Sequence, residues 1–255
     1  MKFFTKKSLG QHYLTDIRKL DYISKYCLNI SKNVLEIGPG TGQLTKNLFQ
    51  NGADKIFAIE KDVRFIEYLE ETLQEYDFTV RNEDVLKEKF ENFTDDWVIC
   101  GNLPYNISSI IITNFVKNIA KFKSGIFLVQ KEMADRICAT CNEKDYGRLS
   151  VFINSVASTK KILHVGPNCF SPPPKVDSTV IHIEPKRHSD VNLDKLDQVL
   201  KEAFLSPRKV AINNLKNLAI SFHNLEQIFK KHNITEQSRP NNLPIELYIE
   251  LSQML

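Results

Sequence analysis

The sequence predicts an α/β protein in which helices cover both faces of a largely parallel sheet, followed by a small helical domain. Three observations support this prediction. Short apolar runs alternate with helix-periodic segments up to about residue 185. A glycine-rich turn, Gly38-Pro39-Gly40-Thr41-Gly42, directly follows the first buried run, as in nucleotide-binding α/β domains. Beyond residue 185 there is no glycine, and helical periodicity dominates.

The first half of the chain predicts three strand–helix units. Asp16 is a plausible N-cap for a helix that continues to about Cys27, because Ile17, Leu20 and Ile23 share one face. The following apolar runs and stripes predict strands at 33–37, 55–59 and 78–80, and helices at about 43–50 and 63–76.

The second half continues the alternation and then changes character. The same patterns predict strands at 97–100, 124–130 and 178–184, and helices at 107–116 and 131–140. Residues 170–177 contain three prolines and predict a rigid loop. We therefore predict two domains, at 1–188 and 189–255, with a basic N-terminal arm at 1–15.

The overall composition is that of a globular protein without a membrane segment. The chain has 255 residues, of which 42% are hydrophobic and 25% charged. It has no apolar run of about 18 residues and no signal-peptide core, so we expect a cytoplasmic location. The net charge of +3 does not establish nucleic-acid binding. Residues 2–19 include five basic residues and only one acid. This basic segment could contact phosphate or could simply be a solvated chain end.

The cysteines predict neither a disulfide framework nor a metal site. Their number, 5, is odd. Cys138 and Cys141 form a C-x-x-C without a second pair or a histidine at zinc-like spacing, so ordinary packing is the preferred interpretation.

The stretch with the most specific chemistry is Asn102-Leu103-Pro104-Tyr105, between a predicted strand and a predicted helix. Open α/β sheets bind ligands at the carboxyl ends of their strands. Asn102 offers a side-chain acceptor, Leu103 a carbonyl and Tyr105 an aromatic face. These groups suit a planar substrate with an exocyclic amino group, such as adenine. The alternative is an ordinary turn, since asparagine and proline are common turn residues.

Two acids follow other predicted strands and indicate a nucleoside site. Glu60 ends the second strand, where a carboxylate can accept hydrogen bonds from ribose hydroxyls. Asp84, after the third strand, could accept one from an adenine amino group. The glycine turn lacks the Gly-Lys-Ser/Thr of a phosphate-binding loop. S-adenosylmethionine is the nucleoside-sized ligand that fits best. Alternatively, Glu60 is a surface acid and Asp84 a turn residue.

Through these motifs and others along the chain, the sequence resembles the rRNA adenine N6,N6-dimethyltransferases, and most closely their small-subunit branch. The resemblance covers about residues 6–185. Its motifs are SLGQHYL (8–14), EIGPGTG (36–42), NLPY (102–105), QKE (130–132), YGRLS (146–150) and FSPPPKVDS (170–178).

This resemblance implies a Rossmann-like methyltransferase domain that uses S-adenosylmethionine, releases S-adenosylhomocysteine and dimethylates two adjacent adenosines in a hairpin near the 3′ end of 16S rRNA. It implies a role in ribosome biogenesis, with 16S rRNA in the small subunit as the partner. We expect a monomer without metal or membrane partner, whose helical domain engages the subunit. The expected cofactor residues are Gln11, His12, Leu14, Glu36, Gly38, Gly40, Gly42, Glu60, Asp84 and Asn102. The expected catalytic residues are Asn102, Leu103, Tyr105 and Phe170, of which Phe170 would either stack on the base or anchor its loop.

Three alternatives stay open. Macrolide-resistance methyltransferases, which act on large-subunit rRNA, share the tetrapeptide. A nicotinamide-dependent oxidoreductase is disfavoured, because the turn reads G-x-G-x-G instead of G-x-G-x-x-G. A non-catalytic ribosome-assembly factor would be expected to have a degraded tetrapeptide or glycine turn, and both are intact here.

Overall fold

A computed structural model of the chain describes residues 12–187 and 190–255. Its strands are β1 (Tyr13–Leu14), β2 (Asn33–Ile37), β3 (Lys55–Glu60), β4 (Phe78–Asn82), β5 (Trp97–Asn102), β6 (Ser124–Gln130), β7 (Ala157–Val165), β8 (Phe170–Ser171) and β9 (Ser178–Pro185). Its α helices are α1 (Ile17–Leu28), α2 (Gln43–Gln50), α3 (Ile66–Thr72), α4 (Ser108–Lys117), α5 (Lys131–Cys138), α6 (Arg148–Val156), α7 (Leu193–Ala203), α8 (Ala211–Leu215), α9 (Phe222–Lys231) and α10 (Ile245–Gln253).

The central sheet has seven strands in the described part of the chain, in the order β4-β3-β2-β5-β6-β9-β7. The pairs from β4 to β6 are parallel, and β9 runs antiparallel to β6. Because β2 pairs with both β3 and β5, the chain order reverses there. Ligands of doubly wound sheets bind at the carboxyl ends of the strands beside such a reversal. The fold is thus the predicted Rossmann-like one. A second small sheet pairs β1 with β8.

The chain divides into two compact units. The first, which we call the sheet unit, comprises Met1–Ala134 and Lys160–Pro185; the second, the helical unit, comprises Asp135–Thr159 and Lys186–Leu255. The chain passes from the sheet unit to the helical unit for the last time between Pro185 and Lys186, close to the predicted division between residues 188 and 189. Residues 135–159, which we placed in the first domain, pack with the second unit.

Local sequence accounts for much of the sheet unit. Asp16 caps α1, since its Oδ1 accepts a hydrogen bond from the Lys19 backbone N–H at 3.1 Å. One stripe of α1 is buried, including Leu20, Ile23 and Cys27. The residues of β2, β5 and β6 are almost all buried, as expected for parallel strands that helices cover on both faces.

One predicted helix differs from the observed one, and two observed elements were not predicted. The helix predicted at 63–76 begins as a 3-10 turn (Val63–Phe65) and its α part ends at Thr72. Glu70, Glu71 and Glu75 lie at or beyond that end, where negative charge opposes the helix dipole. The apolar stretch at 151–156, which follows the YGRLS motif directly, belongs to α6. Strand β7 was not predicted.

The residues of the YGRLS motif make a set of contacts within the helical unit. The Ser150 hydroxyl donates to the Arg136 carbonyl at 2.6 Å and accepts from the Gly147 N–H, which begins α6. Tyr146 Oη donates to the Leu243 carbonyl at 3.0 Å. Arg148 pairs with Asp197 of α7 at 2.6 Å. This motif therefore holds α6 to its neighbours in the unit.

In the described part of the chain, no helix combines the length and the apolar character that crossing a bilayer requires.

Candidate active site

A cavity of about 260 Å³ lies at the carboxyl ends of β2, β3, β4 and β5. Eight of the residues predicted for the site line it: His12, Gly38, Gly40, Glu60, Asp84, Asn102, Leu103 and Tyr105. The four strands are neighbours in the sheet, so residues distant in sequence, such as Gly38 and Asn102, meet at one edge.

Asn102 is the last residue of β5, and a hydrogen bond fixes its amide. The side-chain Nδ2 donates to the His12 carbonyl at 2.7 Å. The amide oxygen Oδ1 accepts no hydrogen bond from residues 12–187 or 190–255. Among the described residues, this oxygen is therefore an oriented acceptor without a donor, on a residue that lines the cavity. The Leu103 carbonyl follows directly, and the Leu103 N–H is held by the Leu128 carbonyl at 3.1 Å.

Tyr105 is fixed at its hydroxyl and at its ring. Its Oη forms a 2.7 Å hydrogen bond with Ser178 Oγ of β9. Burial raises the pKa of Tyr105, although the bond to Ser178 opposes the rise. The His12 ring stacks on the Tyr105 ring with centroids 5.7 Å apart and planes at 24°. His12 Nδ1 in turn donates to the Pro172 carbonyl at 2.8 Å, which ties the proline loop to this wall.

Glu60 is a buried carboxylate at the end of β3. Its Oε2 accepts from the Gly40 N–H at 3.0 Å and its Oε1 from the Asp62 N–H at 2.8 Å. Burial raises the pKa of Glu60, and these backbone hydrogen bonds oppose the rise. Each oxygen retains a lone pair for a further donor. Gly40 is required here, since its φ is +54° and an added Cβ would lie 2.9 Å from the Tyr13 ring.

Asp84 lies on the next strand end and pairs with a lysine. Its Oδ2 lies 2.7 Å from Lys61 Nζ, and its Oδ1 accepts from the Leu86 N–H at 3.1 Å. The hydrogen bond from Lys61 holds the pKa of Asp84 below its usual value. Asp84 is therefore ionised near neutral pH, with Lys61 neutralising its charge.

Two predicted cofactor residues, Glu36 and Leu14, line a smaller neighbouring cavity of about 40 Å³ instead. Glu36 is 2% exposed and accepts a hydrogen bond from Thr45 Oγ1 at 2.7 Å. Burial raises the pKa of Glu36 to about 7. Neither residue lines the larger cavity.

Three further predicted residues lie away from the cavity walls or outside the described chain. Gly42 is the N-cap of α2 and has no place among the cavity residues. Phe170 is 4% exposed and belongs to the hydrophobic core, because β8 turns its side chain inward beside Leu14. It therefore anchors its loop and presents no stacking face to the cavity. Gln11 lies outside the described residues.

The cavity also contains residues that were not predicted for it. Lys61, Leu86, Ile107 and Ile111 all line it. Ile107 and Ile111 are four positions apart and so share one face of the helix start, a spacing that could have identified them. Tyr13, for which the sequence supports no specific prediction, lines both cavities.

Tyr13 Oη is unusual in the described part of the chain, because it is buried without a hydrogen-bond partner. Burial, followed by the charge of Glu60, raises the pKa of Tyr13 to about 12. The phenol therefore stays protonated in the neutral range.

Comparison with protein-family models gives a match to the ribosomal RNA adenine dimethylases over residues 2–255. A ribosomal RNA small subunit methyltransferase A of Malacoplasma penetrans is 39% identical over 254 residues, which are 98% of this chain and 92% of the relative. A protein of the same name from Clostridium botulinum is 38% identical over 263 residues, covering 100% of this chain and 95% of the relative.

Two solved structures share the fold. A dimethyladenosine transferase from Plasmodium falciparum superposes with a TM-score of 0.81 at 28% identity, covering 94% of this chain and 96% of the other. The 23S rRNA methyltransferase ErmE superposes with a TM-score of 0.73 at 22% identity over 95% of this chain and 99% of its own. The likeness to ErmE is one of fold.

Proposed function

Because the chain belongs to the ribosomal RNA adenine dimethylase family, we propose that its larger cavity brings together S-adenosylmethionine and an adenine of 16S rRNA. The protein is an S-adenosylmethionine-dependent rRNA dimethyltransferase, and its relatives are named for the small subunit. We further propose that it dimethylates N6 of two adjacent adenosines in a hairpin near the 3′ end of 16S rRNA, and that it does so as a monomer in the cytoplasm.

The cavity residues fit S-adenosylmethionine. Its lining contains the carboxylates Glu60, Glu83 and Asp84, which suit the hydroxyls, the amino group and the positive charge of that molecule. Glu60, held from behind by two N–H groups, would accept the ribose hydroxyls. Asp84 would accept the adenine amino group of the cofactor, and the Cβ-free turn at Gly38 and Gly40 leaves room for close approach.

The remaining predicted cofactor residues would act more indirectly. His12 contributes a carbonyl that is already engaged by Asn102, so its role would be to orient that amide. Leu14, Glu36 and Gly42 would support the glycine turn from the smaller cavity and from the start of α2. A contact from Gln11 stays a prediction.

The observation that carries the proposed mechanism is the Asn102 hydrogen bond to His12. This bond orients the Asn102 amide. Its Oδ1 has no donor among the described residues and is next to the Leu103 carbonyl. Adenine N6 is a poor nucleophile, because its lone pair is delocalised into the ring. Two acceptors for its hydrogens favour the tetrahedral nitrogen of the transition state, which is where binding accelerates a reaction.

Tyr105 would hold the target base by stacking. Its hydroxyl bond to Ser178 and its contact with His12 fix the ring plane before the base arrives. A stack of this type contributes about 1–3 kcal/mol per base. Phe170 would act through the proline loop that it anchors. The adenine must leave its own helix to enter the cavity, as in other base-modifying enzymes.

S-adenosylmethionine supplies a methyl group on a sulfonium, which is an activated leaving group. N6 forms the new bond to carbon while the carbon–sulfur bond breaks and its electron pair stays on sulfur. The extra proton on N6 leaves to solvent, and S-adenosylhomocysteine is the second product. The residues of the chain contribute position and hydrogen-bond acceptors, which can account for a large part of the rate.

The test is the variant Asn102→Ala. Transfer from labelled S-adenosylmethionine to unmethylated small subunits should fall by at least about a hundredfold, as when one transition-state hydrogen bond is removed. Binding of S-adenosylhomocysteine should be largely retained. Near-normal turnover would contradict the mechanism. For the parent protein, dimethyladenosine in large-subunit rRNA would instead indicate the resistance-type activity, and cofactor binding without any product would indicate an assembly factor.

A further inference from the structure

The chain between β8 and β9 presents a cation and apolar side chains beside the candidate active site. We call residues 172–177 the 172–177 loop. Pro172, Pro173, Lys175 and Val176 are exposed. We propose that this loop binds the nucleotide next to the target adenosine, with Lys175 Nζ donating to its phosphate. The proposal rests on the function proposed above, and it adds a contact with RNA outside the reacting base.

Strand pairing places the 172–177 loop at the edge of the sheet where the cavity lies. The loop leads into β9, whose first residue, Ser178, pairs with Gln130, the last residue of β6. Because β9 runs antiparallel to β6, its start lies at the carboxyl ends of the parallel strands. The loop therefore borders the same edge as Asn102, which ends β5.

Contacts with site residues fix both ends of the loop. At its start, the Pro172 carbonyl accepts a hydrogen bond from His12 Nδ1 at 2.8 Å. Just after its end, Ser178 Oγ lies 2.7 Å from Tyr105 Oη. Lys175 is three residues from both Pro172 and Ser178, so its Cα lies within about 11 Å of each of their Cα atoms. A lysine at that distance can reach the phosphate of a nucleotide whose neighbour stacks on Tyr105.

The backbone of the loop is restricted before any RNA binds. Three successive prolines fix their φ angles, and the third of them, Pro174, is buried. Little conformational entropy is then lost on binding, which favours affinity. Val176, next to Lys175, is 45% exposed. An apolar side chain beside a cation suits a nucleotide, which carries a base and a sugar beside its phosphate.

The charges around the loop leave Lys175 available. In residues 12–187 and 190–255 Lys175 forms no ion pair. Asp177, the acid of the loop, forms no ion pair there either, and its carbonyl accepts from the Lys131 N–H at 2.9 Å. Lys131 and Glu132 have other interactions, and Asp16 caps α1. The loop thus has no net charge, so Lys175 offers one specific pairing and no broad positive field.

The other side of the cavity is unsuitable for a phosphate. Its lining there includes Glu60, Glu83 and Asp84, at the ends of β3 and β4. The nearby cations are engaged, since Lys61 pairs with Asp84 at 2.7 Å and Arg81 with Glu83 at 3.2 Å. In the strand order, β3 and β4 lie on one side of β2, whereas β5 and β9 lie on the other. A phosphate is therefore favoured on the side of the 172–177 loop.

The test compares two single variants that each remove one exposed lysine. Lys175→Gln alters the loop. Lys32→Gln is the control, because Lys32 directly precedes β2 at the opposite edge of the sheet and forms no ion pair within the described chain. We would measure binding to protein-free 16S rRNA over a range of salt concentrations, kcat/KM on unmethylated small subunits, and the affinity for S-adenosylhomocysteine. The phosphates that matter would be located by ethylation interference, in which 16S rRNA is ethylated at random phosphates and the bound and unbound fractions are compared.

We expect Lys175→Gln to bind 16S rRNA about fivefold more weakly at about 0.1 M salt, because one contact with a single-strand phosphate changes the slope of log affinity against log salt by about 0.7. Its kcat/KM on small subunits should fall by a similar factor. Ethylation of a phosphate next to the target adenosines should weaken binding of the parent and of Lys32→Gln, but should not weaken that of Lys175→Gln. All three proteins should bind S-adenosylhomocysteine alike.

An unchanged salt slope for Lys175→Gln, or the same interference beside the target adenosines as in the parent, would overturn the proposal. A loss of affinity for S-adenosylhomocysteine would overturn it too, since Lys175 would then contact the cofactor. So would a loss on small subunits without a loss on free rRNA, which would assign the loop to a ribosomal protein. If the parent transfers no methyl group to 16S rRNA, the proposed function fails, while the interference comparison still decides whether Lys175 contacts a phosphate.

Discussion

At the scale of single residues, the Tyr13 hydroxyl is expected to lower the stability of the folded protein. Its hydroxyl is buried without a partner among the described residues, and a buried polar group in that state is destabilising by about 1–3 kcal/mol. We predict that Tyr13→Phe raises the free energy of unfolding by about 1 kcal/mol, as measured by urea unfolding without ligand. A less stable variant would mean that the hydroxyl has a partner in solution, and Tyr26→Phe, which loses a bond to His182, should show such a loss.

Tyr105 separates the contribution of a ring from that of a hydroxyl. Tyr105→Ala should lower kcat/KM on small subunits by about tenfold or more, because stacking contributes about 1–3 kcal/mol per base. Tyr105→Phe keeps the ring and loses only the bond to Ser178, so its loss should be smaller. Equal losses in the two variants would show that the hydroxyl matters and the ring does not.

The sequence could predict that several candidate site residues lie at the same edge of the sheet. Glu60, Asp84 and Asn102 each follow an apolar strand, and parallel strands place their carboxyl ends at one edge. Phe170 could not be assigned in this way, because the direction of its side chain depends on the pairing of β8 with β1. For the same reason, the sequence did not reveal that His12 contacts Asn102 through its carbonyl.

At the scale of elements, the approach of β5 to β2 depends on Gly101. Gly101 directly precedes Asn102, and a Cβ on Gly101 would lie 2.5 Å from the Ile37 carbonyl oxygen. Gly101→Ala should therefore lower stability by about 1–3 kcal/mol and also displace Asn102, so that methyl transfer falls. Gly166→Ala, where an added Cβ meets nothing within 4 Å, is the control for thermal unfolding and turnover. If both variants behaved alike, the close approach would not be limiting.

The elements that the sequence predicted are those with a local signal. Strands β2, β3, β5 and β6 are short apolar runs, and their observed bounds agree with the predictions to within two residues. Strand β7 carries Ser158, Thr159, Lys160 and Lys161 in succession, so its polar edge conceals its strand character. The β1–β8 pair has two residues per strand and forms only through a contact between distant parts of the chain.

At the scale of the whole molecule, the two units are not two continuous pieces of sequence. In the helical unit α7 packs against α6, α8 and α10, although α6 precedes three strands of the sheet unit. A change in composition at residue 185 signals the later boundary, but nothing in the composition signals the departure of residues 135–159. The unit in which residues 135–159 pack depends on which apolar faces fit together. A single sequence does not reveal this fit.

The pH dependence of global stability is a whole-molecule property that one buried carboxyl should influence. Burial and the nearby charge of Glu60 raise the pKa of Glu36 from 4.5 to about 7. The hydrogen bond from Thr45 opposes this rise. A folded-state pKa above the unfolded one means that the stabilising contribution is complete below about pH 4.5 and is lost as the pH rises to about 7.

Glu36→Gln should reverse that loss, because glutamine keeps an acceptor for Thr45 and cannot ionise. We predict that the free energy of unfolding of the variant, relative to the parent, increases between about pH 5 and about pH 8 by at most about 3 kcal/mol. Urea unfolding of both proteins at the two pH values measures it, with the exposed Glu91→Gln as the control for loss of a charge. A constant difference between Glu36→Gln and the parent would show that Glu36 is ionised in the folded protein throughout, and that the glycine turn tolerates a buried negative charge beside Glu60.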